Sequence, residues 1–460
     1  MLSNDQARKL VDQVLSYSKA DNCEVRIGAG DAANIRFANN SVTTSGRQQR
    51  IALRISSTFD ARTGSVATNE TSAEALKGAV ARSEELAKLA PPDPEYVEPL
   101  GAQKYPQIEG FDQRTADSGA KELAEAVRAT IEGAAAKKLE SSGFLEREAS
   151  AYALGNKKGN FGYTTLTDYN YTTTVRTPDG TGSGWALSAG HELGAMDSRA
   201  VARVAIDKAI LSQKPRKLDP GRYTVVLEPA AVEDLVLLLF GGGFDARAAD
   251  EGRSVMSKKG GGTRVGEKMF SDRITVRSDP FDIRIPTVPW YGGISTQLAG
   301  VGQFFFGGGG GGGASFLPVE RRTWVEKGVV KGLSYSRYWA KQKNTAPTGP
   351  ASWATIIHGE DHSLDDLIKS TERGLLITHF FYIRFVQPQT QQYTGLTRDG
   401  VFMIENGQIA YPVNNFRWNE SPVNVLANAE MLSRPVRTER AIVPAIKTHD
   451  FNMASVSDAI

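Results

Sequence analysis

One short stretch limits what this chain can fold into more than any other. Between residues 398 and 413, Arg398-Asp399-Gly400 and Glu405-Asn406-Gly407-Gln408 are turn signals, and 401–405 and 409–413 read as short strands. The spacing predicts a hairpin of an antiparallel sheet, a place where backbone geometry is fixed rather than where chemistry happens. A chain of 460 residues is too long for one compact core, so two domains are expected.

The rest of the chain reads as alternating helical and strand-like blocks. Residues 3–20 form a first helix capped by Ser3 or Asn4, with Leu10, Val11, Val14 and Leu15 on one side. Strand-like runs at 23–28, 34–43, 50–57 and 64–69 suggest an antiparallel meander. A helix over 72–90 ends at Pro91-Pro92-Asp93-Pro94, residues 95–119 read as loop, and 121–139 as helix. Runs at 144–154, 159–167, 170–176 and 181–187 are rich in Thr, Tyr and Gly, as in a sheet with one wet face. After a helix at 198–212, the polar, proline-containing run 214–221 is the best domain boundary. A strand at 223–227 and an apolar helix at 229–240 open the second part.

Hydrophobic residues make up 40% of the chain and charged residues 23%, the balance of an ordinary globular protein. Lys plus Arg (54) almost cancels Asp plus Glu (52), which argues against a dedicated nucleic-acid binder. The single cysteine, Cys23, rules out an internal disulfide framework and fits a reducing compartment. The N-terminal helix lacks the basic start and apolar run of a leader, and no stretch reaches the roughly 18 apolar residues of a membrane span. A cytoplasmic protein is expected.

Three blocks in the second half, Glu372-Arg373-Gly374, Thr394-Gly395-Leu396-Thr397-Arg398-Asp399-Gly400 and Ile404-Glu405-Asn406-Gly407, occur in order. Together they resemble the C-terminal signature of the TldD/PmbA family, relatives of metallopeptidases once described as modulators of DNA gyrase. The blocks 40–46, 250–254 and 323–328 look family-like as well. The resemblance implies an α+β protein, with an N-terminal α/β domain carrying an antiparallel sheet (1–213) and a β-rich C-terminal domain (221–460). It also implies zinc chemistry in peptidase members, which carry His-Glu-x-x-x-His on the helix after the first C-terminal strand and a later Cys ligand. There a metal-bound water, its pKa lowered toward about 7, is worked by a carboxylate.

In this sequence the corresponding positions fall near Leu237, Leu238 and Gly242. No histidine lies between His191 and His358, and no cysteine follows Cys23. The resemblance therefore implies a non-catalytic, PmbA (TldE)-like subunit with no catalytic residue and no cofactor of its own. Its expected partners are a zinc-bearing TldD-type homologue in a heterodimer, or itself in a homodimer, together with extended or unfolded peptides. A peptide would add to a sheet edge, with Asp250, Arg253, Thr397, Arg398 and Asp399 as candidate cleft residues.

His358, Glu360 and His362 are the one histidine cluster, but Ser363 and the acidic residues after it read as a helix start, making this a polar loop. His379 reads as a satisfied sheet histidine, and His191 and His449 have no clustered partners. Asp245, Arg247, Asp250, Glu251 and Arg253 alternate in sign, as structural ion pairs do. The glycines 260–262 lack the order of a phosphate-binding loop, and Phe304–306 followed by Gly307–313 reads as an insertion without function. A homodimeric peptide-binding scaffold and a metallopeptidase with a relocated metal site remain the competing readings.

Overall fold

The computed structural model describes residues 1–292 and 316–457, so the 304–313 insertion lies outside the described residues. The first half is one six-stranded antiparallel sheet: β1 (Asn22–Ala38), β2 (Ser41–Phe59), β3 (Arg62–Thr68), β4 (Glu140–Asn156), β5 (Phe161–Arg176) and β6 (Ser183–Gly190), in the order β3-β2-β1-β4-β5-β6. The expected runs at 23–28 and 34–43 are not separate strands. Residues between them stay paired to both neighbours, Gly30 to Arg50 and to Ser150, and the chain turns only at Asn39 and Asn40. Both asparagines have φ near +50 to +60, the left-handed pair a two-residue hairpin turn demands. The runs at 159–167 and 170–176 likewise merge into β5.

Odd-numbered residues of β1 face the core throughout. Val25 and Ile27 meet the helices α1 (Asn4–Tyr17) and α2 (Ala73–Leu89), while Ile35 and Phe37 meet α4 (Ala120–Ala136) and α5 (Ser198–Leu211). α1 begins with a capping box between Ser3 and Gln6, and α2 with Ser72 capping Ala75. The 95–119 loop contains one short helix, α3 (Gln113–Asp117), capped by Asp112. Between the two apolar clusters lies a buried ion pair. Arg147 on β4 is fully buried, its Nη1 is 2.8 Å from Asp31 Oδ1, and its Nε donates to the Ser118 carbonyl at 2.8 Å. Burial alone would raise the Asp31 carboxyl, but hydrogen bonds from Arg47, Gln49 and Arg147 hold it down at about 2. Even-numbered residues of β4 and β5, among them Glu146, Glu148 and Asp168, share the opposite face.

The second half opens with β7 (Gly221–Leu227) and builds two more sheets. In the larger, strands Arg373–Gln387, β7, Ile446–Ser457, Asn415–Glu420 and Gln392–Glu405 pair in that order, and Gln392–Glu405 pairs back with Arg373–Gln387. The ring closes into a barrel, which removes most sheet edges. Its interior carries Phe380, Trp418 and Phe451, with ring centroids 4.7–6.0 Å apart. The apolar helix α6 (Pro229–Leu238) packs on the same core. A smaller six-stranded sheet, Val276–Ser278 and Thr355–Ile357 at its centre, lies beside it. No helix among the described residues is long and apolar enough to cross a membrane.

Glu405–Gln408 is the expected hairpin turn, but Arg398-Asp399-Gly400 is not a turn between strands. It lies inside the strand Gln392–Glu405, where His379 pairs with Arg398 and Ile377 with Val401. Asp399 and Gly400 thus stand opposite the single residue Thr378 as a β-bulge, with φ of +53° and +118°. A bulge needs the same left-handed backbone as a turn, so the two share a residue signature.

Replacing Arg147 by Leu strips Asp31 of its buried partner and should cost roughly 3 kcal/mol, the lower range for breaking such a pair. Urea unfolding of the two proteins measures it, and a loss within error of zero contradicts this account of the N-terminal core.

Candidate functional site

The bulge aims Asp399 into the contact between the first sheet and the barrel. Its side chain is 4% exposed. Ser183 on β6 donates to Oδ1, and His379 Nε2 lies 2.8 Å from Oδ2. The Trp185 ring stacks on the imidazole at 4.3 Å, and His379 Nδ1 lies 3.1 Å from the Phe380 carbonyl. Burial pushes the Asp399 carboxyl up, but His379, Ser183 and Arg398 outweigh it and leave it below the usual range. Asp399 therefore stands as an anion joining the two halves. A cavity of about 230 Å³ borders it, with Ser212, Asn414 and Ser457 among its walls.

The other candidate cleft residues divide between two places. Thr397 is fully buried, donates to Asn415 Oδ1 at 2.9 Å and accepts the Phe416 amide. Arg398 lies over the Phe381 ring at 4.2 Å. Asp250, in contrast, accepts the Trp339 indole N–H at 2.8 Å and pairs with Lys343. Arg253 pairs with Glu251, which also holds Arg247, and Arg247 reaches Glu95 of the first half at 2.8 Å. These acids and bases are engaged in ion pairs.

The His358–His362 loop is also committed elsewhere. Glu360 takes Arg273 on one oxygen and the Leu432 amide on the other, and Asp361 pairs with Arg434. Burial and Arg277 lower the His358 pKa. Ser363 and Asp366 form the capping box of the helix Leu364–Lys369. Among the described residues no group of three or more His, Cys, Asp or Glu is placed to hold a metal ion.

A recess between the halves escaped the sequence reading. From the polar face of the first sheet come Glu146, Glu148 and Asp168. From the second half come Glu233 and Asp234 on α6, with Arg437, Glu439 and Arg440. Arg437 lies 3.6 Å from Asp168, and Arg440 lies 3.9 Å from Glu233 and 4.0 Å from Asp234. Burial pushes the Asp168 carboxyl up to about 7 against the pull of Arg437, with Glu148, Glu439 and Glu146 adding to the rise. Burial and Glu233 push Asp234 up to about 8, with Arg440 opposing. Asp168 and Asp234 keep 44% and 29% of their side chains open, so they line a recess rather than a core. Protonated carboxyls can donate hydrogen bonds to a peptide carbonyl, as ionised ones cannot.

At its far end α6 runs into a π-turn, Leu239–Gly243. Leu237 is 3% exposed, the Phe240 and Phe244 rings lie 4.4 Å apart, and the Tyr393 hydroxyl donates to Gln391 Oε1 at 2.8 Å beside Gly243.

Two family models match the sequence, the PmbA/TldA metallopeptidase C-terminal domain over residues 220–455 and PmbA/TldA metallopeptidase domain 1 over residues 23–87. The chain belongs to the PmbA/TldD family. No curated protein matches it. Among solved structures, it resembles a proposed modulator of DNA gyrase from Bacteroides thetaiotaomicron, with a TM-score of 0.82 at 18% identity, over 98% of this chain and 100% of that one. TldE from Thermococcus kodakarensis is similar too, with a TM-score of 0.80 at 16% identity, over 97% and 99%. So is a proposed modulator of a DNA gyrase from Thermotoga maritima, with a TM-score of 0.80 at 14% identity and the same coverage. These identities show a shared fold.

For a PmbA/TldD chain, the zinc that the family implies would sit at the end of α6. The residues do not fit it. Leu237 and Leu238 carry hydrocarbon, exposed Gly242 carries no side chain, and Phe240 and Phe244 point into the core.

Asp168 and Asp234 keep their protons in the folded chain to about pH 7 and 8, whereas an unfolded aspartate loses its proton near pH 4. Between those values the native state holds more protons, so this contribution to stability falls as pH rises. Thermal melts from pH 5 to 8.5 should therefore show a declining midpoint, and Asp168→Asn/Asp234→Asn should flatten the decline. An unchanged slope in the double variant contradicts the recess electrostatics.

Proposed function

We propose that this chain is a non-catalytic, PmbA/TldE-like subunit of a metallopeptidase-related assembly that acts on unfolded or small peptides. It pairs with a homologue that bears the His-Glu-x-x-x-His motif and the zinc. The observation that carries the reading is the end of α6, where Leu237, Leu238 and Gly242 stand at the positions expected to carry metal donors, beside a mixed-charge recess. In that role the chain walls in the peptide and hydrogen-bonds it, and the partner supplies the activated water. An extended peptide satisfies its backbone by adding to a sheet edge, which needs no particular side chains and suits a broad substrate class. The reading places the protein in the cytoplasm, in line with its single, buried Cys23.

A metallopeptidase built on His358, Glu360 and His362 is the weaker reading, because both Glu360 oxygens are already held by Arg273 and Leu432. A peptide-binding homodimer without a peptidase partner is the other alternative.

Two measurements separate the three readings. Affinity capture of the tagged chain from its native host should bring down the zinc-motif homologue, and failure to do so sinks the subunit reading. Metal analysis of the purified chain should find no stoichiometric zinc. Zinc that disappears in His358→Ala/His362→Ala would establish the relocated site instead.

A further inference from the structure

The polar face of the first sheet carries a second feature, away from the recess. Near the hairpin turn that follows β1, a groove of about 370 Å³ opens between Arg36, Ser142, Phe144, Thr172 and Thr174. Its make-up follows from the register. Arg36 pairs with Phe144, Phe144 with Thr172, and Ser142 with Thr174, and cross-strand partners point to the same side of a sheet.

The exposed Arg36 guanidinium stands 5.9 Å from the centre of the Phe144 ring, and among the described residues it makes no ion pair. The hydroxyls of Ser142, Thr172 and Thr174 hold no hydrogen bond there either. No carboxylate belongs to the lining. A planar cation ringed by hydroxyl donors, with no acid of its own, suits a carboxylate, which a guanidinium grips through two parallel N–H···O bonds.

The same face gives the groove a counterpart. Asp168 pairs with Glu148 and Glu148 with Ala32, so these acids of the recess stand four residues along each strand from the Arg36 row. The separation is roughly 13 Å to Thr172 and roughly 20 Å to Thr174, at about 3.3 Å per residue. Asn34, Glu146 and Asn170 make the row between. Glu146 has Arg50 of β2 as its cationic neighbour, which leaves Arg36 to the groove. Asn170 Oδ1 is buried and accepts no hydrogen bond among the described residues, an open acceptor for a peptide N–H. We propose that the groove binds the carboxylate of a short extended peptide whose amino end lies in the recess. The inference rests on the peptide-holding role proposed above and names its substrate class. A peptide of roughly four to six residues, free at both ends, spans the distance between the two poles. Charge sets its direction, because the reversed chain would bring its carboxylate to the acids and its ammonium to Arg36. Both contacts read chain ends rather than side chains, so length is selected and sequence is not.

Isothermal titration of the purified full chain with penta-alanine tests this. The free peptide should bind about tenfold more tightly than its C-terminal amide, and N-acetylation should weaken it as well. Arg36→Gln should erase the preference for the free acid and Arg36→Lys should restore part of it, both with the circular dichroism of the parent. An amidated peptide ending in glutamate regains the affinity where a side-chain carboxylate fills the groove, and stays weak where the chain end alone does. Equal affinity for acid and amide, or a preference that survives Arg36→Gln, overturns the inference and leaves the peptide-holding role standing. Failure of every peptide to bind overturns both.

Discussion

A carboxylate removed from water costs several kcal/mol unless charge and hydrogen bonds replace the lost hydration. Asp399 is such a group, and the partners that match it come from both halves of the molecule: Ser183 from the first sheet and His379 from the barrel. The bulge is what delivers it there. Residues on a regular strand alternate between faces, and the extra residue at 399–400 re-aims one side chain without ending the strand. Gly400 tolerates φ of +118° where a Cβ would meet the Phe402 ring at 2.7 Å. Breaking this contact would leave a buried charge unmatched. The orientation it fixes presents the polar face of the first sheet to Arg437, and the recess exists only in that orientation.

How much of this was legible depended on whether the signal was local. Helix positions followed from apolar spacing and from Ser3, Ser72 and Ser363, whose side chains cap backbone amides within three residues. β1 was read as two strands because the run Gly28-Ala29-Gly30-Asp31 interrupts the apolar pattern. In the fold Asp31 keeps the core-facing parity, and Arg147 makes its charge tolerable. A charged residue on a core face is opaque in sequence, since its neutralising partner lies on another strand. Arg398-Asp399-Gly400 failed for a related reason: left-handed backbone was correctly implied, but turn and bulge share it.

The site was legible mainly through what is missing from it. A sequence without histidine from 192 to 357 cannot place imidazoles on α6, whatever the fold. The recess gave no such signal. Glu146, Glu148 and Asp168 occupy the outward positions of β4 and β5, as charged residues on any wet sheet face do. The Asp168 carboxyl is raised by burial first and then by Glu148, Glu439 and Glu146, and of these acids Glu439 comes from the other half. His379 was read as a satisfied sheet histidine, and its two hydrogen-bond partners agree. What the sequence could not disclose was that one partner, Asp399, is shared with the first sheet.

The two properties of α6 belong together. A helix end that coordinates metal must keep polar donors near water, and each donor withholds apolar surface from the core. With leucine there, a fully buried side chain such as Leu237 adds about 1.5–3 kcal/mol to the core. Asp234 on the preceding turn keeps an open face and, near neutral pH, a proton. On the proposed reading, a peptide lying in the recess therefore meets a hydrogen-bond donor on one side and hydrocarbon on the other. Neither can activate water for attack on a carbonyl. On that reading, the same leucines that stabilise the helix leave the chain able to hold a peptide it cannot cut.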